Sequence, residues 1–134
     1  MEVSNAKPLL LTTFRGKRIM NGEWVIGQYY FHEYANRHII VAPTGKVTVF
    51  PKSVSIRVDG MQDENGRDVF LGDILRVKLP KLDEFLAEVV YEKECSSFQL
   101  KRLTDNVLWN LVLSYYFEVI GNVFDNPELL GEKK

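Results

Sequence analysis

Between Trp24 and Phe124 the apolar residues recur every second position, in runs of five to nine residues. Glycine, proline or asparagine breaks the pattern after most of these runs. A period of two places alternate side chains on opposite faces of an extended chain, so the pattern predicts short β-strands and argues against long helices. From Glu23, Trp24, Ile26 and Tyr30 point one way and Val25, Tyr29 and Phe31 the other. His38–Ala42 and Lys46–Phe50 flank Pro43-Thr44-Gly45, which reads as a hairpin, because proline presets φ and glycine accepts a positive one. Val54-Ser55-Ile56-Arg57-Val58 alternates strictly.

The second half repeats the pattern in Ile74–Leu79, Ala87–Glu92, Phe98–Leu103 and Tyr116–Phe124, a meander of antiparallel strands. Residues 107–115 fit either a strand or a helix face, and the neighbouring strands favour a strand. Asn126, Pro127 and Glu128 form a helix start, which predicts a short helix over Pro127–Gly131. Residues 1–15 have no clean period and read as a loosely held arm. With 134 residues and no internal linker or repeat, the chain is expected to form one unit. Its subregions are N-terminal strands over 16–60, a turn segment over 61–72, and a strand-rich end over 73–134.

Hydrophobic residues make up 46% and charged residues 26%, which excludes wholesale disorder. The single cysteine, Cys95, forms no internal disulfide and fits a reducing cytoplasm. The start of the chain lacks the apolar core of a secretory signal, and no apolar run is long enough for a membrane span, so a cytoplasmic protein is expected. Seventeen basic and eighteen acidic residues leave a net charge of −1. That balance counts against a protein held to nucleic acid by bulk charge alone. The halves differ: residues 1–60 carry eight Lys/Arg and four Asp/Glu, residues 61–134 nine and fourteen.

Three constellations are candidates for chemistry. Asp63, Glu64, Asn65, Asp68 and Asp73 form an acidic segment. If Gly66 is set at the sixth position of a calcium loop, Met61 and Gly72 fall at the first and twelfth, so that match fails. Asp63, Asp68 and Asp73 remain the residues of an alternative metal-dependent hydrolase or nuclease, although Asp and Asn in turns more often bond their own backbone. His32 and His38, with Glu33 between them, fall short of three convergent zinc ligands, and neither lies near Cys95, Ser96 or Ser97. The basic cluster Arg15, Lys17, Arg18, followed by Trp24, Tyr29, Tyr30 and Tyr34, combines cations for phosphates with aromatics for bases. Alternation sends half of those aromatics into a core.

Two blocks carry a family resemblance. Gly60-Met61-Gln62-Asp63-Glu64-Asn65-Gly66-Arg67-Asp68-Val69-Phe70-Leu71-Gly72-Asp73-Ile74, with Val89-Val90-Tyr91 after it, is the first. Phe117-Glu118-Val119-Ile120-Gly121-Asn122-Val123-Phe124-Asp125-Asn126-Pro127-Glu128-Leu129-Leu130 is the second. Together they resemble the YopX family of phage and prophage proteins. The resemblance implies a mainly β fold with a small SH3-like antiparallel barrel in the C-terminal half, an N-terminal β-hairpin region and a short C-terminal helix. It implies a mobile-element origin in a bacterial host, and it brings no catalytic residues, cofactor or metal. The motif positions Asn65, Gly66, Gly72, Asp73, Gly121, Asn122, Asn126 and Pro127 all have structural readings as turns, close approaches and caps. The expectation is a non-enzymatic accessory protein that binds a protein or nucleic-acid partner, with Arg15, Lys17 and Arg18 as candidate nucleic-acid contacts. An exposed edge strand would also invite self-association.

Overall fold

The computed structural model describes residues 12–80, 83–110 and 116–130. The chain divides into two compact units, Met1–Arg57 and Val58–Lys134, and the boundary falls inside a strand.

The first unit contains β1 (Phe14–Lys17), β2 (Trp24–His32), β3 (Arg37–Ala42), β4 (Gly45–Val49) and the start of β5 (Ser55–Gln62). They form an antiparallel sheet in the order β4-β3-β2-β1-β5. Phe14 and Arg15, assigned by the sequence pattern to a loose arm, pair instead with Gly27 and Ile26 of β2. The two residues are too few to show a period, and the tertiary pairing decides their conformation. The Pro43-Thr44 hairpin forms as expected, with Ala42 opposite Gly45.

One face of this sheet is the core. Val25, Ile40 and Val49 are buried there, with Phe14, Tyr29, Ala42, Val47 and Val54 packed around them. A single 3-10 turn over Pro51–Ser53 leads from β4 into β5. The buried Ser53 hydroxyl donates to the Phe50 carbonyl and accepts from the Lys17 amide at 2.8 Å, which ties that turn to β1. The chain just past β1 then lies on the outer edge of β4. Arg18 bridges Val49, Ile19 N–H donates to the Thr48 carbonyl, and Phe50 N–H donates to the Lys17 carbonyl.

The second unit holds the end of β5, β6 (Asp68–Phe70), β7 (Asp73–Lys78), β8 (Phe85–Glu92), β9 (Ser97–Arg102), β10 (Leu108–Asn110) and β11 (Tyr116–Asn122). The segment over 61–72 is thus not all turn, because Met61 and Gln62 end β5 and Asp68–Phe70 is extended. The sheet order is β10-β9-β8-β7-β11. Its core is Val58, Met61, Val69, Leu75, Val77, Ala87, Val89, Leu100 and Phe117.

The chain is mainly β, but the SH3-like barrel expected over 73–134 is not a closed barrel. After three successive hairpin steps the chain places β11 beside β7, so β10 and β11 are opposite ends of an open sheet. Residues 108–110 of the ambiguous segment are a strand, and 111–115 lie outside the described residues. The terminal helix is a 3-10 turn over Pro127–Leu130, in which Leu129 N–H donates to the Asn126 carbonyl. Four residues are too few for an α-helix to gain from propagation. No helix among the described residues is long and apolar enough to cross a membrane.

Close backbone approach inside the first unit makes one glycine irreplaceable. A Cβ on Gly27 would lie 2.0 Å from the Val41 carbonyl oxygen, a backbone atom that cannot swing away. Gly27→Ala is expected to destabilise the protein by about 3 kcal/mol or more, because β2 and β3 must separate. Gly22→Ala, at φ +75° with nothing within 4 Å, is expected to cost about 1 kcal/mol from its left-handed backbone. Thermal unfolding followed by circular dichroism checks the ranking, and equal losses would contradict it.

Candidate nucleic-acid interface

Strand register sorts the side chains of the first unit. Lys17 lies opposite Trp24 and Arg15 opposite Ile26, so these four share one face, while Phe14 and Gly16 take the other. Tyr30 lies opposite Ile39, and Val41 opposite both Gln28 and Lys46, which extends that outer face across β2, β3 and β4. The Arg15 guanidinium carbon is 4.7 Å from the Trp24 ring centroid, and Lys17 Nζ is 5.4 Å from it. Arg15 Nε also donates to Ser55 Oγ at 3.2 Å. Lys46 Nζ sits 5.9 Å from the Tyr30 centroid. An indole carrying two cations holds both long side chains at the sheet surface by cation–π attraction. None of β1–β4 contains an Asp or Glu. Ile26 is 47% exposed and Val41 39%, so the face is solvated between the cations.

The structure divides the sequence-predicted cluster. Arg15 and Lys17 come together on Trp24, whereas Arg18 passes to the edge of β4 and lines a cleft there. Trp24 and Tyr30 belong to the outer face. Tyr29 packs inward, tilted on Phe14 at 5.5 Å between centroids, with its hydroxyl 2.7 Å from His38 Nδ1. Tyr34 is fully exposed in the β2–β3 turn. Sequence reasoning missed Lys46 and Arg37. The period-two count over the β3–β4 hairpin carries that signal, since it puts both on the face of Tyr30.

The acidic segment does different work. The buried Asp63 Oδ1 accepts from the amides of Asn65 and Arg67, each at 2.9 Å, and Oδ2 accepts from the Val119 amide at 2.9 Å. Arg67 in turn donates to the Val119 carbonyl, so residue Val119 is held at both its backbone N–H and its C=O. Burial pushes the Asp63 carboxyl up, but the bonds from Val119, Arg67 and Asn65 and the Arg67 charge outweigh it and leave the group below the usual carboxylate range. Asp73 is buried, and its Oδ2 accepts from the Phe70 amide at 2.8 Å, closing the turn before β7. Asp68 accepts from Gln62 at 3.1 Å.

The remaining motif residues form turns and close approaches in the same unit. Asn65 and Gly66 form the turn beneath Asp63, and Gly66 and Gly72 take positive φ. The buried Asn122 accepts from the amides of Phe124 and Asp125. Asn126 Oδ1 accepts from the Asn122 amide, and a Cβ on Gly121 would lie 2.6 Å from that oxygen. Pro127 starts the 3-10 turn.

His32 and His38 stand on opposite faces, since Phe31 pairs with His38 and His32 with Arg37. His32 accepts from the Ala35 amide. Among the described residues no three His, Cys, Asp or Glu side chains come together in a way that could hold a metal ion.

The family model of the YopX protein matches residues 13–131. The chain belongs to the YopX family. No curated protein and no solved structure matches it. The match begins at the foot of β1 and so covers both units of this YopX-family chain, including the cations on Trp24 as well as the Asp63 turn.

Asp63→Asn leaves the Val119 amide without its anionic acceptor and is expected to cost about 2–4 kcal/mol in urea unfolding at neutral pH. Because the folded carboxyl titrates below its unfolded value of 3.8, its contribution is present above that value and is lost as pH falls through the lowered one. The acid limb of the stability curve below about pH 4 should therefore be shallower in Asp63→Asn than in the wild type. Identical curves would show that the carboxylate is not the tie.

Proposed function

We propose that this YopX-family protein is a non-enzymatic accessory protein of phage or prophage origin. It works in the cytoplasm of a bacterial host and binds single-stranded nucleic acid on the outer face of its first unit. The observation that carries this reading is the pairing of Arg15 and Lys17 on Trp24, on a face to which strands β1–β4 contribute no carboxylate. Cations seated on an aromatic platform follow a phosphate backbone, and neighbouring aromatic and apolar groups accept unstacked bases in any sequence. Charge separation supports the same reading. The first unit carries eight Lys/Arg and three Asp/Glu, the second nine and fifteen.

A protein partner on this face is the competing binding reading, and it has less behind it, because protein interfaces place aromatic and apolar residues at the centre and few lysines. The metal-dependent hydrolase alternative has no supporting geometry. The oxygens of Asp63 are taken up by three peptide groups, and Asp73 closes a turn.

Anisotropy of a labelled oligothymidylate, titrated at two salt concentrations, tests the proposal. Binding is expected at low salt and should weaken as salt rises. Arg15→Gln with Lys17→Gln should reduce the slope of log affinity against log salt by about 0.7 for each phosphate that is no longer neutralised. No binding of the wild type at low salt would overturn the reading, and so would a double variant that binds with the same salt slope.

A further inference from the structure

The cleft beside the outer edge of β4 gathers charge of one sign. Arg18 from the turn after β1, Arg37 from the start of β3 and Lys46 from β4 all line it, with Thr48 between them. No Asp or Glu contributes to its wall, and among the described residues none of the three cations has a carboxylate partner. Ile19 and Met20 form an apolar side, and Met20 is 95% exposed. The cleft has a volume of about 440 Å³, in the range of small-ligand sites.

Its wall is built and not a chance meeting of surface side chains. Ile19 N–H donates to the Thr48 carbonyl, Gly22 N–H donates to the Arg18 carbonyl, and Glu23 N–H donates to Asn21 Oδ1. These bonds fix the turn that carries Arg18 against the strand that carries Lys46. Three cations held around one space repel each other, and a doubly charged anion relieves that repulsion. Two guanidinium forks, an ammonium and a hydroxyl supply the donors that a phosphate's oxygens accept. The apolar side adjoining them suits a planar or sugar-like group attached to that phosphate.

We propose that this cleft binds the phosphate monoester of a nucleotide. The group has two sources, a free mononucleotide or the 5′-phosphate end of a strand. The second source rests on the nucleic-acid reading above, and the first does not.

Calorimetry with adenosine 5′-monophosphate and with adenosine tests one source. Anisotropy of a 5′-phosphorylated and a 5′-hydroxyl oligothymidylate tests the other. Each is run on the wild type, on Arg37→Gln with Lys46→Gln, and on Arg15→Gln with Lys17→Gln, with circular dichroism to show that every variant is folded. If the double variant at 37 and 46 is unfolded, Arg37→Gln alone replaces it, since Arg37 is an exposed residue at the start of its strand. Where the free nucleotide is the ligand, the monophosphate binds at least about tenfold more tightly than the nucleoside, and the 37/46 variant loses that margin. Where the strand end is the ligand, the 5′-phosphate strengthens oligonucleotide binding by a similar factor, which again disappears in the 37/46 variant but survives the 15/17 variant. The proposal is overturned if neither probe gains from its phosphate, or if the gain persists without Arg37 and Lys46. A 5′-hydroxyl strand that fails to bind the wild type removes the face reading alone, and the mononucleotide titration still decides the cleft.

Discussion

A buried carboxylate holds the second unit together. Asp63 is a charge that the interior would reject if its oxygens were not met by peptide donors, and those donors come from its own turn and from β11. With Arg67 on the Val119 carbonyl, the two peptide groups that flank the Val119 Cα are each held from the Asp63 turn. The clamp sits where the β11–β7 register slips, between Val119 and Gly121. An extra residue there turns the strand so that Gly121 and Asn122 rejoin β7 at Ile74 and Asp73. The Asn126 side chain can then reach the Asn122 amide, and only a residue without a Cβ leaves room for it. Asp63 thus belongs to one mechanical unit with Gly121 and Asn126, which lie far from it in the chain.

The first unit uses its residues differently. Its core face is apolar, and its tight spot is backbone against backbone at Gly27. That leaves the outer face to carry chemistry, and it carries cations on aromatic rings with no carboxylate in β1–β4. The packed core and the cation-bearing surface therefore sit on opposite sides of one sheet.

How much of this was legible in the sequence depends on how local the cause is. Alternation sufficed for β2, β3 and β4, for the first half of β5 and for β7, β8, β9 and β11, because the side-chain period is a property of each strand alone. It also predicted that Trp24 and Tyr30 would share a face. Four features were hidden because their causes are distant. β1 is too short to announce itself and is held by its pairing with β2 and β5. Asp63 bonds its own turn, as its residue type suggests, but its third donor, the Val119 amide, lies 56 residues away. The return of β11 to β7, which leaves the sheet open, depends on a choice of edge that no local pattern encodes. The split of Arg18 from Arg15 and Lys17 is a fourth case, since it follows from where the chain leaves β1 and meets β4.

The division of charge between the units has a practical corollary. An isoelectric point near 6.1 is an average over an electropositive unit and an electronegative one, and it describes neither. Any survey that ranks candidates for polyanion binding by their bulk isoelectric point would discard this chain at the outset. Ion-exchange media of both signs would be expected to retain it, each through a different part of the molecule.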